Sequence, residues 1–272
     1  MTAMPSSRVC SAILAVCLCS GGAIAAPHAP TGESRGYSSI ERRTYFFKEA
    51  GAASEYLIYV SSRYRPGVPA PLIVALHGSG SSPTEIIRVQ GFTGLAEQRG
   101  YILVAPWGLN DHSGYGNHGT GRSANHPEDP DNAGELSELD VMHVLAIVRN
   151  DYSIDPRHIY LLGHSMGGGG ALYLGSKYPD IWAGLALVAS SSGSATESQL
   201  RAIRAPIIII HGLADDHVRV SVSRKLVEML DTLDKKYRYF EIPGADHSSV
   251  IGYMPDNIRK IFDYFEEKSA AR

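Results

Sequence analysis

The stretch Ile159-Tyr160-Leu161-Leu162-Gly163-His164-Ser165-Met166-Gly167-Gly168 decides how the rest of the chain is read. Its first four residues form a continuous apolar, β-branched and aromatic run, the pattern of a strand buried on both faces. The following residues, 166–177, have helical character. Between strand and helix stands Gly163-x-Ser165-x-Gly167, whose glycines permit a turn too sharp for side chains at those positions. Such a turn lifts the Ser165 hydroxyl clear of the backbone, at a helix start whose free N–H groups favour negative charge. Ser165 is therefore the candidate nucleophile.

Outward from this point, strand-like and helix-like segments alternate. Residues 44–48 and 56–60 are aromatic and β-branched around Gly51-Ala52-Ala53-Ser54, which predicts a leading antiparallel hairpin. Apolar runs at 71–76, 101–105, 184–189 and 206–210, with 237–242 last, predict further strands. Ser82-Pro83-Thr84-Glu85 offers a helix cap, a first-turn proline and a capping-box glutamate. A second helix is expected from Ser137, with Val141, Val144, Leu145 and Val148 at helical spacing, and others over 166–177, 218–233 and 255–268. The alternation predicts an α/β fold: a mostly parallel central sheet with helices on both faces. Residues 41–272 read as a single domain, after a flexible segment over 26–40.

Residues 1–25 read as a signal peptide. Arg8 precedes an apolar, small-residue stretch that ends in Ala23-Ile24-Ala25, a small-x-small cleavage pattern. Ser20-Gly21-Gly22 interrupts that stretch and argues against a stable membrane anchor, and the Val16 before Cys17 argues against a lipobox. A secreted protein, periplasmic or extracellular, is expected. Cys10, Cys17 and Cys19 all lie in this leader, so no thiolate nucleophile, disulfide or cysteine metal site is expected after cleavage. With 25 Lys plus Arg against 28 Asp plus Glu and no basic run, nucleic acid is not an expected partner.

A serine hydroxyl needs a base, and the base needs an orienting acid. Candidates cluster after two later strands. The run 206–210 leads into His211-Gly212-Leu213-Ala214-Asp215-Asp216-His217-Val218, and 237–242 leads into Pro243-Gly244-Ala245-Asp246-His247. Asp246 adjoins His247 in sequence and could hardly reach back to its ring, so it reads as a turn residue. His217 shares the loop of the acidic pair, which makes a surface position its simpler reading.

These stretches, with 71–78, Gly100-Tyr101-Ile102-Leu103-Val104-Ala105-Pro106 and Lys177-Tyr178-Pro179-Asp180, resemble the α/β-hydrolase superfamily over about residues 44–268. The likeness is to secreted serine esterases of the polyhydroxybutyrate-depolymerase and feruloyl-esterase type. It implies hydrolysis of carboxylic esters, small or oligomeric, with no cofactor. It also implies the order Ser165, acid, His247, with His247 as general base. The pattern H-G-x-x-D-x-x-V selects Asp215, leaving Asp216 to cap the next helix. His77-Gly78-Ser79-Gly80 takes the oxyanion position, with the N–H groups of Ser79 and Met166 as donors. A peptidase of prolyl-oligopeptidase-like type with the same triad is the alternative, and a non-catalytic relative is a third reading.

Two loops complete the expectations. The segment 190–205 is too short for a lid domain, so an open cleft is expected. The long polar loop 107–136 should form one wall of the substrate site, with Trp107, Tyr115 and the elbow residue His164 as substrate-binding side chains. Its residues His112, His118, His126, Glu128, Asp129, Asp131 and Glu135 show no H-E-x-x-H or EF-hand spacing, so the loop reads as polar and solvated and no metal is expected.

Overall fold

The computed structural model describes residues 39–270. The leader and most of the segment 26–40 lie outside the described residues. The chain opens with β1 (Ile40–Phe47) and β2 (Ala52–Val60), an antiparallel hairpin in register from Phe47↔Ala52 to Ile40↔Tyr59. Next come β3 (Ala70–Leu76), β4 (Ile102–Pro106), β5 (Ile154–His164), β6 (Gly184–Val188), β7 (Ile207–Gly212) and β8 (Tyr237–Ile242). They form one eight-stranded sheet in the order β1-β2-β4-β3-β5-β6-β7-β8. The contacts β1–β2 and β2–β4 are antiparallel and all others parallel. This is the α/β-hydrolase sheet that the strand pattern predicts.

The unbroken apolar runs arise because helices cover both faces. In β3, Leu72, Val74 and Leu76 point into one core and Ile73 and Ala75 into the other. On the first face pack α3 (Ala133–Asp151), α4 (Met166–Lys177), α5 (Glu197–Ala202) and α6 (Ser221–Thr232), through Val141, Val144, Leu145, Leu172, Leu174, Leu200 and Leu226. On the second pack α1 (Pro83–Ile87), α2 (Phe92–Arg99), α7 (Ser249–Gly252) and α8 (Pro255–Ala270), through Ile86, Ile87, Phe92, Val250, Ile258, Phe262 and Phe265.

Helix starts depart from the sequence reading where side chains have other partners. Ser82 makes no side-chain cap bond, and the Glu85 carboxylate instead accepts from the Ser81 hydroxyl at 2.7 Å. A complete capping box stands at Thr196 and Gln199, opening α5 inside the segment read as a plain connection. Ser137 is interior to α3, not its start: its hydroxyl accepts the Tyr115 N–H (3.0 Å) and donates to the Gly108 carbonyl (2.7 Å). The helix read from 218 starts at Ser221, and Asp216 does not cap it; its carboxylate meets His217 Nδ1 at 2.8 Å.

Candidate active site

The turn between β5 and α4 places Ser165 at φ 54°, ψ −117°, a left-handed conformation costing a non-glycine residue roughly 1–3 kcal/mol. The surroundings hold it there. Its N–H donates to Val188 O (3.0 Å), and its carbonyl accepts from the N–H of Gly168, Gly169 and Ser191 at 3.0–3.2 Å and from Ser191 Oγ at 3.1 Å. A Cβ on Gly163 would sit 2.0 Å from the Gly167 carbonyl oxygen, and one on Gly167 would sit 2.3 Å from Leu76 O. The glycine run then continues for packing reasons. A Cβ on Gly168 would meet Ser190, on Gly169 the Asn117 amide, and on Gly170 the Tyr115 ring, each at 2.7 Å. The start of α4 is thus pressed against β3, the loop after β6, and the segment 115–117 at once.

The loops after β7 and β8 are drawn together by backbone bonds from Leu213 N–H to Ile242 O (3.0 Å) and from Ala214 N–H to Ala245 O (2.9 Å). Asp215 and His247 therefore meet. His247 Nδ1 lies 2.7 Å from Asp215 Oδ2, and the Asp215 side chain is fully buried. Asp215 Oδ1 accepts the N–H groups of His217 (3.0 Å) and Val218 (2.9 Å). Burial pushes this carboxyl up, but the bonds from His247 and those two N–H groups outweigh it and hold it below the usual aspartate range. Asp216 lies outside this arrangement, with its side chain 86% exposed. Asp246 caps the turn into α7, accepting from the N–H of Ser248 (3.0 Å) and Ser249 (2.7 Å).

Three more imidazoles surround the pair. His211 is buried, with Nε2 donating to Val218 O (2.7 Å), Nδ1 against Ser223 Oγ (2.7 Å) and Asp215 Oδ2 3.3 Å away, so it braces the acid loop. The sequence used His211 only as a spacing marker. The exposed His217 ring stacks on His247 at 5.2 Å and 16°. His164 Nε2 donates to the His247 carbonyl at 2.8 Å, and burial lowers its pKa to about 4, so it stays neutral above that pH.

The C-terminal end of β3 lies beside the elbow, with Leu76 opposite Gly163. Gly78 approaches so closely that a Cβ there would stand 3.3 Å from Ser165 Cβ. Among the described residues, no backbone carbonyl takes the N–H of Ser79 or Met166, the two donors expected at the oxyanion position. Gly80 N–H donates to Asp111 O (2.9 Å), His77 Nε2 to Trp107 O (3.0 Å) and the Tyr115 hydroxyl to His77 O (3.3 Å). The long loop therefore buttresses this corner from behind.

That placement corrects three expectations. Tyr115 is wholly buried and belongs to the core, so it cannot touch a substrate. Trp107 lines a separate groove with Phe47, Ala53 and Leu109, not the Ser165 cleft. No residue of 107–136 lines that cleft. The cleft of about 530 Å³ contains Ser79, His164, Ser165, His217 and His247, and is walled by Ile86, Arg88, Val89, Ile251 and Tyr253. The cap signal at Ser82–Glu85 marks the helix α1 but not what that helix faces, and α7 has no motif of its own, so neither wall is legible in the sequence. Ser165 and His247 line the same cleft, and among the described residues Ser165 Oγ makes no hydrogen bond to the imidazole. Such bonds often close only when substrate is bound.

Among the described residues, Asp215, Asp216 and His217 are the only three potential metal ligands close enough together, and Asp215 is already committed to His247 and two N–H groups. In the long loop, His112 is held between Asp111 Oδ1 (2.7 Å) and Asp129 Oδ2 (2.8 Å) and stacks on His126.

A family description, "Putative esterase", matches residues 50–219, and the prolyl oligopeptidase family matches residues 188–272. Among curated proteins, "Putative esterase NocK" of Nocardia uniformis subsp. tsuyamanensis is 32% identical over 177 residues, covering 61% of this chain and 46% of that protein. Feruloyl esterase B of Talaromyces funiculosus is 30% identical over 146 residues (54% and 38% covered). The poly(3-hydroxybutyrate) depolymerase of Ralstonia pickettii is 28% identical over 185 residues (64% and 36%). The chain spans about half the length of these relatives or less. Among solved structures, an S-formylglutathione hydrolase from Agrobacterium tumefaciens has the same fold, with TM-score 0.68 at 16% identity over 85% of this chain and 98% of that one. A thermostable esterase superposes with TM-score 0.65 at 23% identity, over 84% and 62%. With the family match running from the second strand of the hairpin through the elbow to the acid loop, over more than half its length, this chain belongs to the "Putative esterase" family of α/β-hydrolases.

Proposed function

We propose that the chain is a secreted serine hydrolase that cleaves carboxylic esters through an acyl-enzyme on Ser165. The observation that carries this reading is the 2.7 Å Asp215–His247 pair opening onto the same cleft as the left-handed Ser165. With Nδ1–H committed to Asp215, His247 keeps its Nε2 lone pair for the Ser165 hydroxyl. Serine attacks the carbonyl carbon as its proton passes to Nε2, and the N–H groups of Ser79 and Met166 receive the developing oxyanion. The imidazolium then protonates the departing alcohol. A water, deprotonated by the same nitrogen, attacks the acyl-enzyme and releases the acid and free Ser165.

The family match and the names of the relatives support feruloyl, short-acyl or hydroxyalkanoate esters as substrates. Export rests on the apolar stretch 9–26 and its cleavage pattern, with residues 41–272 as the catalytic domain. No described helix is long and apolar enough to cross a membrane. Peptide-bond hydrolysis is the second reading, favoured by the prolyl oligopeptidase match over 188–272.

The test is a panel of nitrophenyl, hydroxycinnamoyl and oligo-hydroxyalkanoate esters beside peptide amides, with Ser165→Ala as blank. Ester turnover and fluorophosphonate labelling, both lost in Ser165→Ala, are expected. Labelling that persists in the variant overturns the assignment, and preferred cleavage of amides makes the chain a peptidase.

A further inference from the structure

The walls of the Ser165 cleft come from two short helices far apart in sequence. From α1 and the residues after it come Glu85, Ile86, Arg88 and Val89, and from α7 and its end come Ile251 and Tyr253. The two segments are tied together by Gln90 N–H donating to Gly252 O at 3.3 Å. Ile86 and Ile251, each 3% exposed, make an apolar floor, while Arg88 and Tyr253 are exposed at the lips.

Most polar side chains around this slot already have hydrogen-bond partners, the anionic Glu85 included. Glu85 accepts from the Ser81 hydroxyl, His217 faces Asp216, and His247 faces Asp215. Arg88 is the one lysine or arginine lining the cleft, and among the described residues no carboxylate or carbonyl takes its guanidinium. An apolar floor with one uncommitted planar cation at its edge suits a short hydrocarbon arm that ends in an anion.

We propose that the enzyme selects esters carrying a carboxylate on the arm that fills this cleft, and that Arg88 receives it. This rests on the ester-hydrolase reading above. The methylenes of such an arm lie over Ile86, Val89 and Ile251, and the Tyr253 ring covers them from the opposite lip. The contact is remote from the reacting carbonyl, so it acts through substrate capture and raises kcat/KM chiefly by lowering KM.

The test compares two matched pairs on the wild type, Arg88→Gln and Arg88→Lys. One pair is nitrophenyl butyrate and the nitrophenyl monoester of glutarate, with the carboxylate on the acyl arm. The other is butan-2-yl acetate and the acetyl ester of 3-hydroxybutanoate, with it on the alcohol arm. The wild type should prefer the carboxylated member of at least one pair. Arg88→Gln should lower kcat/KM on that ester about five- to twenty-fold, mostly through KM, and leave the neutral twin within about two-fold. Arg88→Lys should restore part of the loss, and the preference should shrink as sodium chloride is raised to about 0.5 M. No carboxylate preference in either pair, or an equal loss on neutral and charged twins, overturns the proposal and leaves the hydrolase reading standing. Failure to hydrolyse even the neutral esters overturns both.

Discussion

Replacing Asp215 by asparagine separates the acid from its neighbour with a magnitude that the geometry supplies. Asp215 Oδ2 stands 2.7 Å from His247 Nδ1, and Oδ1 accepts two backbone N–H groups. In Asp215→Asn the amide oxygen keeps those N–H bonds, so its NH2 faces His247 Nδ1. The imidazole must then accept at Nδ1 and carry its proton on Nε2, where it can no longer serve as base. Loss of that tautomer costs about 10³–10⁴-fold in kcat, about 4–5.5 kcal/mol of barrier. Asp216 is 86% exposed and, among the described residues, bonded only to the exposed His217, so Asp216→Asn should change kcat by no more than a few-fold. Stopped or continuous assays on a nitrophenyl ester give kcat, and circular dichroism verifies folding. Comparable losses from two folded variants would refute the assignment. The pH dependence supplies an independent sign. A carboxyl held below its unfolded range contributes stability that is present above about pH 4 and lost as pH falls through the folded pKa. Asp215→Asn should lack that acid-side loss.

Other outcomes follow from contacts around the site. The His164 pKa, lowered to about 4, means stability that is full above about pH 6.5 and declines as pH falls toward 4; melting curves of His164→Gln should lack that decline. Gly170→Ala drives a methyl into the Tyr115 ring at 2.7 Å and should destabilise by about 1–3 kcal/mol in urea titrations, with partial recovery in the double variant with Tyr115→Leu. Val89→Trp fills the cleft and should shift kcat/KM ratios among esters of different size by about ten-fold, whereas Trp107→Ala should leave those ratios unchanged. A change in the ratios from Trp107→Ala alone would return the long loop to the substrate wall.

The sequence by itself determined the features that depend on neighbours along the chain. Continuous apolar runs mark strands covered on both faces, and the glycines at 163 and 167 mark a turn where no Cβ fits. The residues alone left Asp215 and Asp216 both open, and it was the resemblance to related hydrolases, through the H-G-x-x-D-x-x-V pattern from His211 to Val218, that selected the aspartate the structure joins to His247. Tertiary structure decided whatever depends on the direction of a side chain leaving a loop. Trp107 and Tyr115 follow β4 closely enough to have faced the cleft, but Trp107 lies against the His77 ring and lines a separate groove, and Tyr115 is buried against Gly170. Asp216 and Ser137 had the chemistry of helix caps, yet His217 and Gly108 claimed them. The cleft walls were least legible of all. Ile86 and Ile251 are ordinary apolar residues on short helices, and only the crossing of the chain over one face of the sheet brings them together above Ser165. Turn chemistry and periodicity are local and can be read in order, whereas a surface assembled from distant segments exists only once the sheet has folded.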